Sequence, residues 1–454
     1  MPYGYITWAQ AKTQLANRLG DSAKIFSVDT ELGLYLAEAM RTFGLLSAFW
    51  RERGILNTVS GTAFYTITTQ TAGSPTLTSL LGYTVTDRDL IQTMQYHLLE
   101  SASSQSSWSG TSMFSLDDLR YAIQRRRDQF LADTGCVVTR SLVNVALPQS
   151  GRQVLTDTII DVRRAAWLGA SPFAYYSTMW REDERMLTAA GATWNTDSGT
   201  PEAFSIMAPP PLTMQLAPPP IATGQVELLT VDTGAALDPA TSATVLGIPD
   251  DLTPGVKWGA LADLLSKDGP ARDLPRAIYC EQRYQEYVQL ARLLPVIVHA
   301  EVNGVSTIPS TLQELESSTP NWENGTSTPT DVAIAAPNMV AVSPVPDGVY
   351  SATLDVVRKT PVPAADGDQV QIGREQLDAI IDYAEHLALF KRHGAEWMAT
   401  RPQAENFLRQ AVTYNQRLSA SARAVLPASM QSEREKAQRP RRIEASGIGA
   451  LKNA

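Results

Sequence analysis

Along the first 130 positions apolar residues recur at steps of three and four, the period of a helix with one buried face. Trp8, Ala11, Leu15 and Leu19 share such a face. Thr7 and Gln10 ahead of it have capping-box spacing, in which each side chain satisfies one orphan helix N–H. Leu32, Leu36, Ala39, Phe43, Leu46 and Trp50 form a second stripe, which Gly54 is expected to end. Residues 63–68 are β-branched and aromatic and predict a strand. Thr86 and Ser115, each followed three positions later by Asp, predict two further helix starts. The serine-rich stretch 101–112 between those helices, with Trp108 inside it, predicts an exposed loop.

The period changes after Gly135. Residues 136–147 and 154–167 have strand composition around a Pro148-Gln149-Ser150-Gly151 turn. A short helix is expected over 178–190, then three short strands at 204–207, 212–216 and 226–231. The proline runs 209–211 and 218–220 must lie in turns or at strand ends, because proline cannot donate to a ladder. Helices are expected over 254–267 and 274–294, then over 377–391 and 404–418.

An internal echo runs through this region. Trp194, Thr200-Pro201, residues 212–218 and 225–231 are followed by two helices. Trp322, Thr328-Pro329, residues 340–344 and 350–356 are followed by two more. The reading is an α+β chain in which one small β-plus-helix unit is used twice. The expected divisions are a helical region at 1–135, a β-domain with a closing helix pair at 136–300, a second such unit at 301–426 and a flexible basic tail at 427–454. Residues 310–329, rich in Ser, Thr, Pro and Asn, are expected to be a connector.

Composition narrows the chemistry. With 44% hydrophobic and 19% charged residues the chain can bury cores, and its formal charge of −9 argues against a broad phosphate-gripping face. Cys136 and Cys280 are too few for a disulfide framework. No apolar run reaches the roughly 18 residues of a membrane span, and no leader is evident, so a soluble chain made in a reducing cytoplasm is expected. Phosphate-loop, dinucleotide-fold and nucleophile-elbow motifs are absent. His386 and His393 stand seven apart rather than at the four of zinc helices, and read as ordinary helix histidines. Glu182, Asp183 and Glu184 read as a charged helix face. Arg125-Arg126-Arg127 reads as a solvated face or a subunit contact, and the tryptophans as core or subunit contacts. No enzyme and no cofactor are expected. The segment holding Arg434, Lys436, Arg439, Arg441, Arg442 and Ile443 lacks apolar periodicity and is expected to order only on a partner.

The order of these elements resembles the head-to-tail adaptor (connector, or neck) proteins of tailed bacteriophages. The resemblance covers roughly residues 5 to 295. It rests on Thr7-Trp8 through Leu19-Gly20-Asp21, the stripe helix ending in Phe49-Trp50-Arg51, and Asp161-Val162-Arg163-Arg164-Ala165-Ala166-Trp167. It continues in residues 204–211, Gln225-Val226-Glu227-Leu228 and Ile248-Pro249-Asp250-Asp251-Leu252 with its helix pair. What the resemblance implies is a virion structural protein, made in the host bacterial cytoplasm: a homo-oligomeric ring, usually of twelve copies, docked beneath the portal protein at the head–tail junction. Such a ring continues the channel for double-stranded DNA without reading its sequence, and carries tail nozzle, tube or fibre proteins. In that family an extended C-terminal segment grips the portal, a task that would fall to Arg434, Lys436, Arg439, Arg441, Arg442 and Ile443. Typical adaptors are far shorter, and residues 322–424 are the excess. The alternatives are a tail-tube or baseplate component and, from another class, a soluble binding module.

Overall fold

The computed structural model describes residues 5–67, 82–100, 102–103, 107–110, 113–145, 151–169, 176–191, 193–207, 212–293, 297–307, 309–392 and 394–425. The fold is a mix of helices and sheets, as the patterning predicts.

The chain opens with α1 (Trp8–Arg18) and α2 (Asp29–Ser47), then β1 (Arg51–Asn57) and β2 (Phe64–Thr66). A complete α+β unit follows. It holds α3 (Asp87–His97), α4 (Leu116–Thr134), β3 (Thr139–Val145), β4 (Arg152–Val154), β5 (Ile159–Leu168) and β6 (Tyr176–Arg181). It continues through α5 (Glu184–Ala190), β7 (Ala203–Met207), β8 (Thr213–Ala217), β9 (Gly224–Asp232), α6 (Thr253–Ser266) and α7 (Leu274–Leu293). The chain then resumes what it began, with β10 (Ile297–Val302), β11 (Val305–Thr307), β12 (Ser310–Thr311), α8 (Leu312–Ser318) and β13 (Thr326–Ser327). After these come β14 (Asp331–Ala336), β15 (Met339–Ser343), β16 (Val345–Pro346), β17 (Ser351–Val357), α9 (Arg374–Phe390), α10 (Gly394–Ala399) and α11 (Arg401–Val425).

The sheets show that one unit is nested in the other. The inner unit has a continuous seven-stranded sheet, β3-β9-β5-β6-β7-β8-β4. The outer unit has the same order divided at one point, β1-β17-β10-β11 and β12-β14-β15-β2. The registers match: Arg51–Asn57 runs antiparallel along β17 as Thr139–Val145 runs along β9. The shift that carries Asn57 onto Val145 also carries Phe64, Tyr65 and Thr66 of β2 onto Arg152, Gln153 and Val154 of β4. In both units a helix of 7 residues lies in the chain between the two strands of a parallel pair, α5 capped by Asp183 and α8 by Thr311.

The helices repeat too. α1 and α3 are each 11 residues long and begin with a capping box, on Thr7 and Thr86. α2 and α4 are each 19 residues and end at a left-handed residue, Ala48 and Gly135. One bundle packs α2 against α1, α9 and α11, and the other packs α4 against α3, α6 and α7. Phe43 of α2 meets Phe407 of α11 at 6.3 Å, as Phe130 of α4 meets Tyr284 of α7 at 6.1 Å. Both bundles share one apolar core, and each sheet buries its own smaller cluster.

Several expectations are corrected. The α2 stripe stops at Ser47, and residues 51–57 form an edge strand. Trp50 turns inward onto Phe43 and Phe49, so it prolongs the stripe without prolonging the helix. Residues 176–181 are strand and only 184–190 are helix, because Asp183 accepts the Arg185 N–H and starts the helix there. The expected connector 310–329 holds β12, α8 and β13, docked against the inner unit by side-chain amides and carboxylates.

Candidate functional site: the seam between the two units

The two units meet along a seam richer in buried charge than the core of either. At the sheet end Glu227, fully buried on β9 between β3 and β5, accepts from Arg140 Nε at 2.8 Å and Arg164 Nη1 at 2.9 Å. Arg164 reaches across the seam to Glu316 on α8 and to Glu323 in the short 3-10 turn Trp322–Asn324. Both guanidinium groups lie over the face of Phe64, at 5.8 and 5.3 Å. Three carboxylates thus share two guanidinium groups. Burial pushes the Glu323 carboxyl up to about 7 against the pull of Arg164, with Glu227 adding to the rise.

Amide side chains complete this junction. Asn324 accepts the Tyr176 N–H and donates to its carbonyl, each at 2.7 Å, and Asn338 does the same for Val138 at 2.9 and 2.8 Å. Each Asn supplies both halves of a strand partner, which leaves those backbone groups satisfied where no strand continues.

At the helix end Glu38 of α2 pairs with Lys257 of α6 and accepts from Trp258 Nε1 at 2.8 Å. Lys257 lies 3.1 Å from His97 Nε2. Burial, aided by Lys257 and Arg276, holds His97 well below the usual imidazole range, so the ring is neutral. Thr42 meets Tyr287 at 2.7 Å, and Tyr279 meets His386 at 2.8 Å. Between the two ends, Asp250 accepts from Thr84 N at 2.7 Å and Val85 N at 2.9 Å, where the chain enters the inner unit. Asp251 accepts from Thr360 N and Oγ1, both at 2.9 Å, in the outer unit. Burial raises Asp251 to about 6. A cleft of about 400 Å³ opens on the seam, lined by Lys12, Arg41, Thr93, Lys257 and Asp366 among others, with Lys12 held by Asp29 and Asp366.

The residues singled out from sequence separate sharply. Arg126 is buried against Asp263 and Glu281, and Arg127 donates to the Ala235 carbonyl at 2.6 Å. Arg125 is left 71% exposed. Trp8, Trp50, Trp167, Trp258 and Trp397 are buried, whereas Trp180 is 71% exposed. His386 is buried between Tyr279 and Thr400, with burial lowering it to about 3. His393 lies outside the described residues, as do Arg434, Lys436, Arg439, Arg441, Arg442 and Ile443. Among the described residues no group of three or more His, Cys, Asp or Glu is placed to hold a metal ion, and both cysteines are buried thiols. No described helix is long and apolar enough to cross a membrane. Sequence reading missed Glu38, Lys257, Glu316 and Glu323, each of which looks like a surface charge on its own helix.

Neither a protein-family model nor a curated protein matches this sequence.

Proposed function

We propose that this chain is a virion structural protein, a head-to-tail adaptor or neck ring that docks under a portal, continues the DNA channel and carries tail components. The observation that carries this reading is how the two like units pack. The inner one presents α3, α6 and α7, and the outer one presents α2 and α9. Two copies of one fold joined through unlike faces make a heterologous contact, the kind that closes into rings. The net charge of −9 suits a wall along which DNA phosphates slide without being held. The seam has the marks of a fixed support, since its charges are paired within the chain. The basic segment 434–442 is assigned to the portal.

The test is mass photometry of the purified full chain, alone and mixed with the portal ring of the same virus. A portal-plus-many-copies mass supports the adaptor reading and gives the copy number. A lone monomer in both samples overturns it in favour of a distal tail component or a binding module.

A further inference from the structure

At the end of the helix bundles away from the sheets, large apolar side chains stand in water around the mouth of the seam. Ile25 and Phe26, just ahead of α2, are 74% and 73% exposed, and Leu99, Leu274, Ile278 and Met398 are between 45% and 60% exposed. Ile25, Phe26 and Met398 belong to the outer unit, and Leu99, Leu274 and Ile278 to the inner one. One aromatic group beneath holds them together. The Phe390 ring lies 5.4 Å from both His97 and Trp397, and Trp397 lies 5.1 Å from Tyr279. Arg276 crosses the Phe390 ring at 4.3 Å and donates to the His97 carbonyl at 2.6 Å. Leu99 lies just beyond His97, Leu274 just before Arg276, and Ile278 and Met398 adjoin Tyr279 and Trp397. Lys391, next to Phe390, donates to the Phe26 carbonyl at 2.9 Å.

The chain fixes these side chains outward. Asp21 accepts the N–H groups of Ile25, Phe26 and Ser27 at 2.8, 2.9 and 2.8 Å, so that loop is ordered before anything binds to it. Leu99 is the clearer case, because the repeat supplies its control. It stands just past the cap of α3, as Gly20 stands just past the cap of α1. The backbone bonds there are the same. Leu99 N and Glu100 N donate to the carbonyls of Tyr96 and Gln95, as Gly20 N and Asp21 N donate to those of Asn17 and Ala16. Both residues are left-handed, at φ +59° and +68°. Glycine adopts that conformation freely, whereas leucine is strained by it. The inner unit thus holds a strained leucine in water where the outer unit has glycine. Strain retained for an exposed apolar side chain points to a contact.

We infer that this face pairs with the same face of a second copy about a twofold axis. The six side chains present roughly 600 Å² of apolar surface, which is at the top of the range for a monomer's largest patch and approaches the ~800 Å² that each partner buries in a stable complex. The rim carries both signs of charge in balance, Arg272 beside Asp268 and Arg392 beside Glu396. A rim of one sign would repel its own copy. A balanced rim around an apolar centre is self-complementary, which a twofold contact requires. The patch spans the seam, so each copy clamps both units of the other. The inference does not depend on the ring reading, since paired monomers and paired rings both satisfy it.

The experiment is sedimentation equilibrium and native mass spectrometry of the full chain and two variants, at concentrations up to about 50 μM. The parent should form particles with an even number of chains. Ile25→Ser combined with Phe26→Ser should leave circular dichroism unchanged, because both side chains are exposed. It should weaken pairing by about 100-fold or more, since each lost side chain counts twice across the axis. Leu99→Gly removes the strain together with the contact. The diluted, unpaired chain should melt no lower than the parent, while pairing weakens by about tenfold. A merely structural leucine would move both readouts the same way. A parent that stays single to about 50 μM, particles with an odd number of chains, or either variant pairing as tightly as the parent overturns the inference. Hydrogen-exchange protection of residues 25–28 and 274–278 that appears only with the portal ring overturns it too, while supporting the ring reading.

Discussion

Arg164 on β5 and Glu323 in the turn after α8 pair in a closed interior, and they belong to different units of the fold. Glu323 is nevertheless the surplus charge there, because Glu227 and Glu316 already balance Arg140 and Arg164. A carboxyl held at about 7 when folded, against an ordinary 4.5, binds more protons folded than unfolded between those values. Its contribution is therefore complete below about pH 4.5 and is lost as pH rises towards 7. Glu323→Gln should flatten this part of the stability–pH profile and raise stability at pH 8 by up to roughly 3 kcal/mol. Urea titrations across pH 4 to 8 read the effect, and a profile parallel to the parent's would refute it.

Removing the other partner does the opposite. Arg164→Met leaves Glu227, Glu316 and Glu323 facing one guanidinium group, and the expected loss is about 3–5 kcal/mol. Pairing Arg164→Met with Glu323→Gln should recover part of it, giving a non-zero coupling energy in a double-mutant cycle.

Lys257→Met should cost a similar amount, since Glu38 would stay buried with only Trp258 donating to it. Joining it to Glu38→Gln should return most of the loss. Equal losses in the single and double variants would show that Lys257 acts by packing alone.

Asp250→Ala removes the acceptor for Thr84 N, Val85 N and the Thr84 hydroxyl. The expected cost is about 2–3 kcal/mol, with the amides of Thr84 and Val85 losing hydrogen-exchange protection before the rest of the inner unit.

Gly255→Ala would place a Cβ 2.7 Å from that of Tyr287 and 3.2 Å from the Phe130 ring, in the tightest part of the inner bundle. Overpacking there should lower stability by about 1–3 kcal/mol. Gln376→Ala on α9, where a small cleft remains beside Phe43 and Gln410, should change it by less than about 0.5 kcal/mol.

Much of the architecture was legible from the chain because it is locally encoded. The capping boxes at Thr7, Thr86 and Ser115, the 3.6-residue stripes and the proline-bounded strands are interactions among near neighbours, and they form where expected. The echo between Trp194 and Trp322 marked the duplication, since both lie between a short helix and the next strand of their units. Tertiary structure alone decided the nesting. β1 and β2 look like interruptions of a helical region until they pair with β17 and β15, nearly three hundred residues away, and no local propensity carries that information. The seam was hidden for the same reason. Glu38, Lys257, Arg164 and Glu323 have the sequence signature of solvated charges. Only the packing of one unit on the other removes them from water and makes each dependent on a distant partner.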